Sequence, residues 1–357
     1  MNKKIRIPLS FPRMSQAPSD GITIIAGDVG GTKTNMGFYK ATGDDIELVK
    51  EATYHSRDYQ SFVEMIQRFL ADTGLQTPDR ICAGVAGPVV HGKVRITNLP
   101  EEMDMQDILS KTGVKEVALL NDLEATAYGL AGLNDEDLVI LYEGDTTLKG
   151  NIAIIAPGTG LGEAGVYWDG STYHPFPTEG GHCDFSPRTA LDTGLCIFLQ
   201  AKYGIVSWER LVAGPGIHDI YLFLLEKRKA NEPGWLTDAL QKEDPSAVIS
   251  KAGVEGRDGL CVETMEIFVR YLARESSNLV LKMKATGGLF LGGGIPPKIA
   301  PLLNKELFLK NYFDCDRMED LLQATPVMII TKDKTALLGA AYYGAYGPAP
   351  TDAAAKQ

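Results

Sequence analysis

The chain has 357 residues, 44% hydrophobic and 23% charged, with a formal net charge of −11. That length implies about two domains, and no apolar run reaches the roughly 18 residues of a membrane span. The acidic balance excludes a general nucleic-acid or acidic-membrane binder, which needs a positive field, although backbone N–H groups, a metal or a few local cations can still hold an anionic ligand. Five scattered cysteines (Cys82, Cys183, Cys196, Cys261 and Cys315) without a C-x-x-C pair fit free thiols in a reducing cytoplasm.

Residues 1–21 read as a loose extension rather than a signal peptide, because Pro8 and Pro12 break the apolar part and no small-residue cleavage pattern follows. "ITIIAGDV" (22–29) reads as a buried strand, "TNMGFYK" (34–40) and "IELVKEATYHS" (46–56) as two more. In "YQSFVEMIQRFLADTG", Phe62, Met65, Ile66, Phe69 and Leu70 have helical spacing and stop at Gly74. "RICAGVAG" and "KVRIT" are predicted strands, "MDMQDILSKTG" a helix ending at Gly113, "EVALLND" a strand and "LEATAYGLAGL" the helix that leaves it. Such alternation implies a largely parallel sheet with helices on its faces. "IIAPGTGLGEAGVYW" (154–168) then repeats the pattern of "IIAGDVGGTKTNMGFY" (24–39): a strand, a Gly/Thr turn, and a second strand. "GGLFLGGGIPPKIAPLL" is predicted as strand, glycine turn and helix, "PVMIIT" as a strand and "TALLGAAYYGAY" as a final helix. The predicted class is α/β with two similar halves from an old duplication. Residues 22–132, completed by the helix 335–346, form a small domain, 133–334 a large one, and 347–357 a disordered tail.

Gly30, Gly31 and Thr32 let a ligand approach the backbone closely, and Asp28 could hold a hydrated Mg²⁺. A hairpin turn with a capping Asp is the plainer reading. Gly160, Gly162 and Gly165 form a G-x-G-x-x-G with Glu179 downstream, but a strand follows where a dinucleotide fingerprint needs a helix. A second phosphate turn at Gly158, Thr159 and Gly160 explains these glycines better. Asn121 and Asp122 stand where a strand gives way to a helix, so either is a good N-cap, and a carboxylate there could also take a proton from a substrate hydroxyl. Glu179 and His182 flank two glycines, as a sugar pocket or an incidental turn would have them. Glu209 by itself reads as a surface glutamate. His55, His91, His174 and His218 are left structural.

In this order the motifs GDVGGT, ITNLP, LLNDLE, APGTGLG, EGGH, WERLVAGPG and FLGGGIPP resemble the bacterial glucokinase family of the actin/hexokinase/Hsp70 superfamily, over roughly residues 22–346. The resemblance implies a two-domain actin-like (ribonuclease H-like) ATPase fold with a central cleft, and transfer of phosphate from ATP to the C6 hydroxyl of glucose. It implies Asp122 as general base and Asn98, Asn121, Glu179, His182 and Glu209 as glucose contacts. Asp28, Gly30, Gly31, Thr32, Gly158, Thr159 and Gly160 would lie at the phosphates, with Mg²⁺ accompanying ATP, and Gly292, Gly293 and Gly294 at the nucleoside. "HCDFSPRTALDTGLC" lacks the cysteine-rich motif of the related repressor/kinase group and no helix-turn-helix domain precedes residue 22, so no structural zinc is expected. A cytoplasmic homodimer is expected, with no nucleic-acid or membrane partner. A kinase for another hexose or N-acetylhexosamine, or a non-catalytic sugar sensor on the same fold, fits the same residues.

Overall fold

The computed structural model describes residues 7–14, 20–96, 99–303 and 306–348. They form two compact units, one holding the described residues up to Asp135 with Asp169–Pro177 and those from Lys334 on, the other Glu136–Trp168 and Thr178–Asp333. Among the described residues no helix is long and apolar enough to cross a membrane.

The first unit contains β1 (Ile22–Val29), β2 (Lys33–Thr42), β3 (Asp45–His55), β4 (Arg80–Val85), a small ladder of β5 (Lys93–Val94) and β6 (Met103–Asp104), and β7 (Glu116–Asn121). The sheet order is β3-β2-β1-β4-β7. β1 pairs antiparallel with β2 and parallel with β4, which pairs parallel with β7. Val29, Val85 and Asn121 therefore lie in register, so three strands end at one carboxyl edge. The helix Phe62–Thr73 starts where the Ser61 side chain accepts from Glu64 N–H, and ends where Gly74 takes φ +69°. It buries Phe62, Met65, Ile66 and Phe69 in a core shared with Ile25, Ile81 and Val117.

The helix Asp122–Gly129 is crossed closely by the helix Thr335–Tyr346. A Cβ on Gly339 would stand 1.7 Å from the Ala125 carbonyl oxygen. Residues 7–14 are not loose, contrary to the reading from sequence. Leu9 bridges to Tyr173, the Phe11 ring lies on Tyr342 and Tyr128, and Arg13 pairs with Glu116 at 2.5 Å. A short apolar segment with two prolines has no local periodicity to announce such packing.

The second unit contains β8 (Leu138–Tyr142), β9 (Ile152–Pro157), β10 (Leu161–Trp168), the end of β11 (Tyr173–Thr178), β12 (Gly288–Leu291) and β13 (Val327–Ile330). β10, β9, β12, β13 and β8 lie side by side in that order. β9 repeats the part of β1, antiparallel to its hairpin partner and parallel to the next strand, β12. Gly162 and Gly165 fall inside β10, so no helix opens among the glycines and no dinucleotide fingerprint exists. The long helix Gly259–Met283 and the helix Gly214–Arg228 supply much of the core, through Phe268, Leu272, Ile220 and Leu224.

Gly339→Ala is expected to lower stability by about 1–3 kcal/mol, because the added methyl must push two helices apart. Thermal or urea unfolding measures this. An unchanged midpoint would mean that the crossing is looser than described.

Candidate active site

In the first unit the turn after β1 is tied by hydrogen bonds. Gly30 N–H donates to the Lys33 carbonyl at 3.1 Å. Ser56, fully buried, donates its hydroxyl to the Gly30 carbonyl at 2.7 Å and its N–H to the Thr32 carbonyl at 3.1 Å. Gly31 and Thr32 form the tip, with Thr32 exposed. Asp28 faces Asn35 across the hairpin and accepts from its Nδ2 at 3.0 Å. Burial pushes the Asp28 carboxyl above the usual range, while the Asn35 hydrogen bond and the Lys33 charge pull it back. Neither Ser56 nor Asn35 was singled out from the sequence. Ser56 is separated from its turn by all of β2 and β3, so no local pattern could reveal it.

Asn121 and Asp122 share the carboxyl edge with that turn. Asn121 is the cap of its helix, its Oδ1 accepting from Leu123 N–H at 2.9 Å and Glu124 N–H at 3.3 Å. Its Nδ2 donates to the Gly87 carbonyl at 3.4 Å. Asp122 is the first helical residue, half-buried, with Oδ1 accepting from Leu123 N–H at 2.9 Å. A carboxylate at a helix N-terminus is stabilised by the helix dipole. Asn98 lies outside the described residues.

In the second unit four segments meet at the start of β10. The turn Gly158, Thr159, Gly160 closes with Gly158 N–H donating to the Gly160 carbonyl at 2.8 Å. Glu209, half-buried rather than on the open surface, accepts from Leu161 N–H at 3.0 Å. A Cβ on Gly160 would stand 2.6 Å from Glu209 Oε2. The Glu179–His182 turn packs on the other side: a Cβ on Gly181 would be 2.2 Å from the Leu161 carbonyl oxygen. Gly181 is therefore demanded by the fold. Glu179 and His182 are exposed, their Oε2 and Nε2 3.9 Å apart, and the following residues pair back onto the Glu209 segment through Trp208 N–H to the Cys183 carbonyl at 2.9 Å.

The triple glycine runs beside the end of β9. Gly292 N–H donates to the Ile155 carbonyl at 2.8 Å, and Gly293, at φ +78°, sits where a Cβ would be 2.5 Å from the Pro157 carbonyl oxygen. The helix Gly214–Arg228 begins at the same turn, Gly214 N–H donating to the Gly158 carbonyl at 2.8 Å. Gly158 and Gly294 have no protein atom within 4 Å of an added Cβ, so packing does not require glycine there. Among the remaining histidines, His174 pairs with Asp169 at 2.7 Å.

A sequence model described as Glucokinase matches residues 25–346. A glucokinase of Nostoc sp. is 38% identical over 333 residues, covering 89% of this chain and 97% of its own. A crystal structure of glucokinase from an Antarctic psychrotroph superposes with a TM-score of 0.77 at 28% identity, over 90% of this chain and 98% of that one. A ROK-family glucokinase from Streptomyces griseus, solved with glucose and AMPPNP, gives a TM-score of 0.60 at 18% identity, over 90% and 99%. The fold is that of the actin-like ATPases.

Gly160→Ala is expected to cost roughly 1–3 kcal/mol, since it drives the Glu209 carboxylate off Leu161 N–H and leaves a backbone donor unpaired. On a Glu209→Ala background the same change should be nearly neutral. A double-mutant cycle by urea unfolding checks this, and additive effects would show that the two residues are not coupled.

Proposed function

The chain belongs to the glucokinase family, and from that premise we propose that it transfers the γ-phosphoryl group of ATP to the C6 hydroxyl of glucose. One observation carries the assignment of the base: Asp122 opens a helix at the carboxyl edge of the parallel strands, the edge that also bears the 30–32 turn. Asp122 accepts the C6 hydroxyl proton as that oxygen attacks the γ-phosphorus, and ADP leaves with the bridging oxygen. Leu123 N–H keeps the carboxylate oriented.

The remaining roles follow from donor and acceptor chemistry. Glu179 accepts from sugar hydroxyls, and His182 donates from one ring nitrogen and accepts at the other. Asn121 has its oxygen committed to the helix cap, so it serves the sugar through Nδ2. Glu209 uses Oε2 to hold the second turn and offers Oε1 to a hydroxyl. The 30–32 and 158–160 turns present backbone N–H groups and the Thr32 and Thr159 hydroxyls to phosphate oxygens. Gly158 and Gly294, where packing tolerates a side chain, are left open for nucleotide to approach.

Among the described residues no group of three or more His, Cys, Asp or Glu side chains could hold a metal ion. A lone carboxylate at a strand end, raised by burial and only partly restored to its charged form by Asn35 and Lys33, fits an ion that phosphates and water hold rather than the protein, as Mg²⁺ with ATP is held. Asp28 would hold it through water, and when bound the ion supplies charge neutralisation at the phosphoryl oxygens.

Asp122→Asn preserves an oxygen for Leu123 N–H but cannot take a proton. Its kcat is expected to fall on the order of 10²–10⁴-fold with a much smaller change in glucose affinity. ADP release coupled to a sugar panel measures both, and near-normal turnover would leave Asp122 a helix residue only. His182→Ala is expected to raise KM for glucose far more than for ATP and to narrow discrimination between glucose and its epimers, because it removes a sugar hydrogen bond worth about 0.5–1.5 kcal/mol. Equal effects on both substrates would remove His182 from the sugar site.

A further inference from the structure

Beneath the Glu179–His182 turn the second unit buries two carboxyl groups. Glu163 on β10 is 1% exposed and Glu275 on the long helix 0%. Glu275 is supplied with donors, Asn278 Nδ2 at 2.7 Å and Lys282 Nζ at 3.3 Å. Neither oxygen of Glu163 has a donor, and its polar neighbour is the Glu275 carboxyl, with which it shares a hydrogen bond only while protonated. The Glu163 Oε2 lies directly under the turn, where a Cβ on Gly180 would be 2.0 Å away. Thr178 links the same pieces, donating its hydroxyl to the Glu163 carbonyl at 2.9 Å and accepting from Gly180 N–H at 3.2 Å.

A buried carboxylate with no donor, facing a second carboxyl, is relieved by keeping its proton. Burial and the Glu275 charge push the Glu163 carboxyl up to about 8, against the opposing charge of Lys282. Glu275 is also raised by burial, but Asn278 and Lys282 favour its charged form. Glu163 is thus the member of the pair that holds the proton.

We propose that Glu163 is a positioning residue for the Glu179–His182 turn, a neutral acid wedged under Gly180 whose ionisation loosens the turn and weakens sugar binding. The link to sugar rests on the function proposed above. The sign follows from linkage: a carboxyl raised on folding contributes stability that is full below its unfolded value and is lost as pH rises through the folded one. The turn is therefore tight in mild acid and loosens toward about pH 8. The groups facing Glu163 are Glu275, Asn278 and Lys282 from the long helix, and Thr178 and Gly180 from the segment above, with Glu179 and His182 exposed beyond them.

The test uses the whole enzyme between about pH 6 and about pH 9, comparing wild type, Glu163→Gln and Glu275→Gln. KM for glucose in the wild type is expected to rise roughly three- to tenfold across that range, within the tenfold that one unit of pKa difference represents. Glu163→Gln imitates the neutral acid and should remove the rise while leaving kcat nearly unchanged. Glu275→Gln removes the facing charge and should move the rise to lower pH. Amide hydrogen exchange over residues 179–183, corrected for intrinsic rates, should follow the same pattern without depending on turnover. A Glu163→Gln enzyme that keeps the wild-type rise would assign it to His182 or Glu179 and overturn the proposal, as would wild-type exchange flat with pH. If no glucose is phosphorylated at any pH, the functional reading fails, while the exchange profile still decides whether Glu163 positions the turn. Should Glu163→Gln fail to fold, the Glu275→Gln shift and the wild-type exchange profile carry the decision.

Discussion

The peptide backbone at Leu161 is held from both sides, and the site segments of the second unit depend on it. Its N–H is bound by Glu209, and its carbonyl lies so close to Gly181 that no side chain fits between them. One residue earlier the chain makes the Gly158–Gly160 turn, and two residues later Glu163 enters the core under Gly180. Four motifs scattered over fifty residues of sequence are thereby fixed to a few ångströms of one strand. Each contact is backbone to side chain or backbone to backbone, so it tolerates little sliding: a shift in register would turn every β10 side chain to the opposite face.

The first unit reaches a similar result with different means. Its turn is fixed by Ser56, whose hydroxyl and N–H grip the carbonyls of Gly30 and Thr32. The second turn is fixed by a carboxylate and by the first N–H of a helix. If the two hairpins descend from one ancestor, their strand pairing has persisted while the braces differ. Pairing is set by the sheet, which many residues determine together, whereas a brace depends on one side chain placed by a distant segment.

That difference also governs what can be read from sequence. The hairpins, the helices with their glycine ends at Gly74 and Gly113, and the strand-to-helix step at Asn121–Asp122 are local patterns, and the structure has them where periodicity puts them. The choice of cap between Asn121 and Asp122 needed coordinates, since both residue types are good caps. Glu209 looked like surface because its partner, Leu161 N–H, lies 48 residues away. Glu163 was hidden among glycines that drew attention as a motif. The strand Leu138–Tyr142 and the helices between Ala190 and Val254 are not legible from the sequence as elements, and where a motif does fall among them, WERLVAGPG at the start of the helix Gly214–Arg228, its glycines mask the helix start.

The glycines separate two kinds of constraint. At Gly181 and Gly293 a Cβ would run into backbone carbonyls, so the fold alone accounts for them, whereas at Gly160 and Gly180 it would meet the carboxylate ends of Glu209 and Glu163. Gly158 and Gly294 are different: an added Cβ meets nothing within 4 Å, and neither has the positive φ that a side chain resists. Packing and backbone conformation both permit alanine there, at no steric cost and with less chain entropy to lose on folding. Openness alone does not call for a ligand, since Gly234 and Gly259, which begin two helices, are equally open and equally without positive φ; under the proposed function a phosphate or nucleoside lying against the backbone at Gly158 and Gly294 is what a methyl group would block. Gly158 and Gly294 are thus places where the fold leaves the backbone open, whereas Gly181 and Gly293 answer to packing alone.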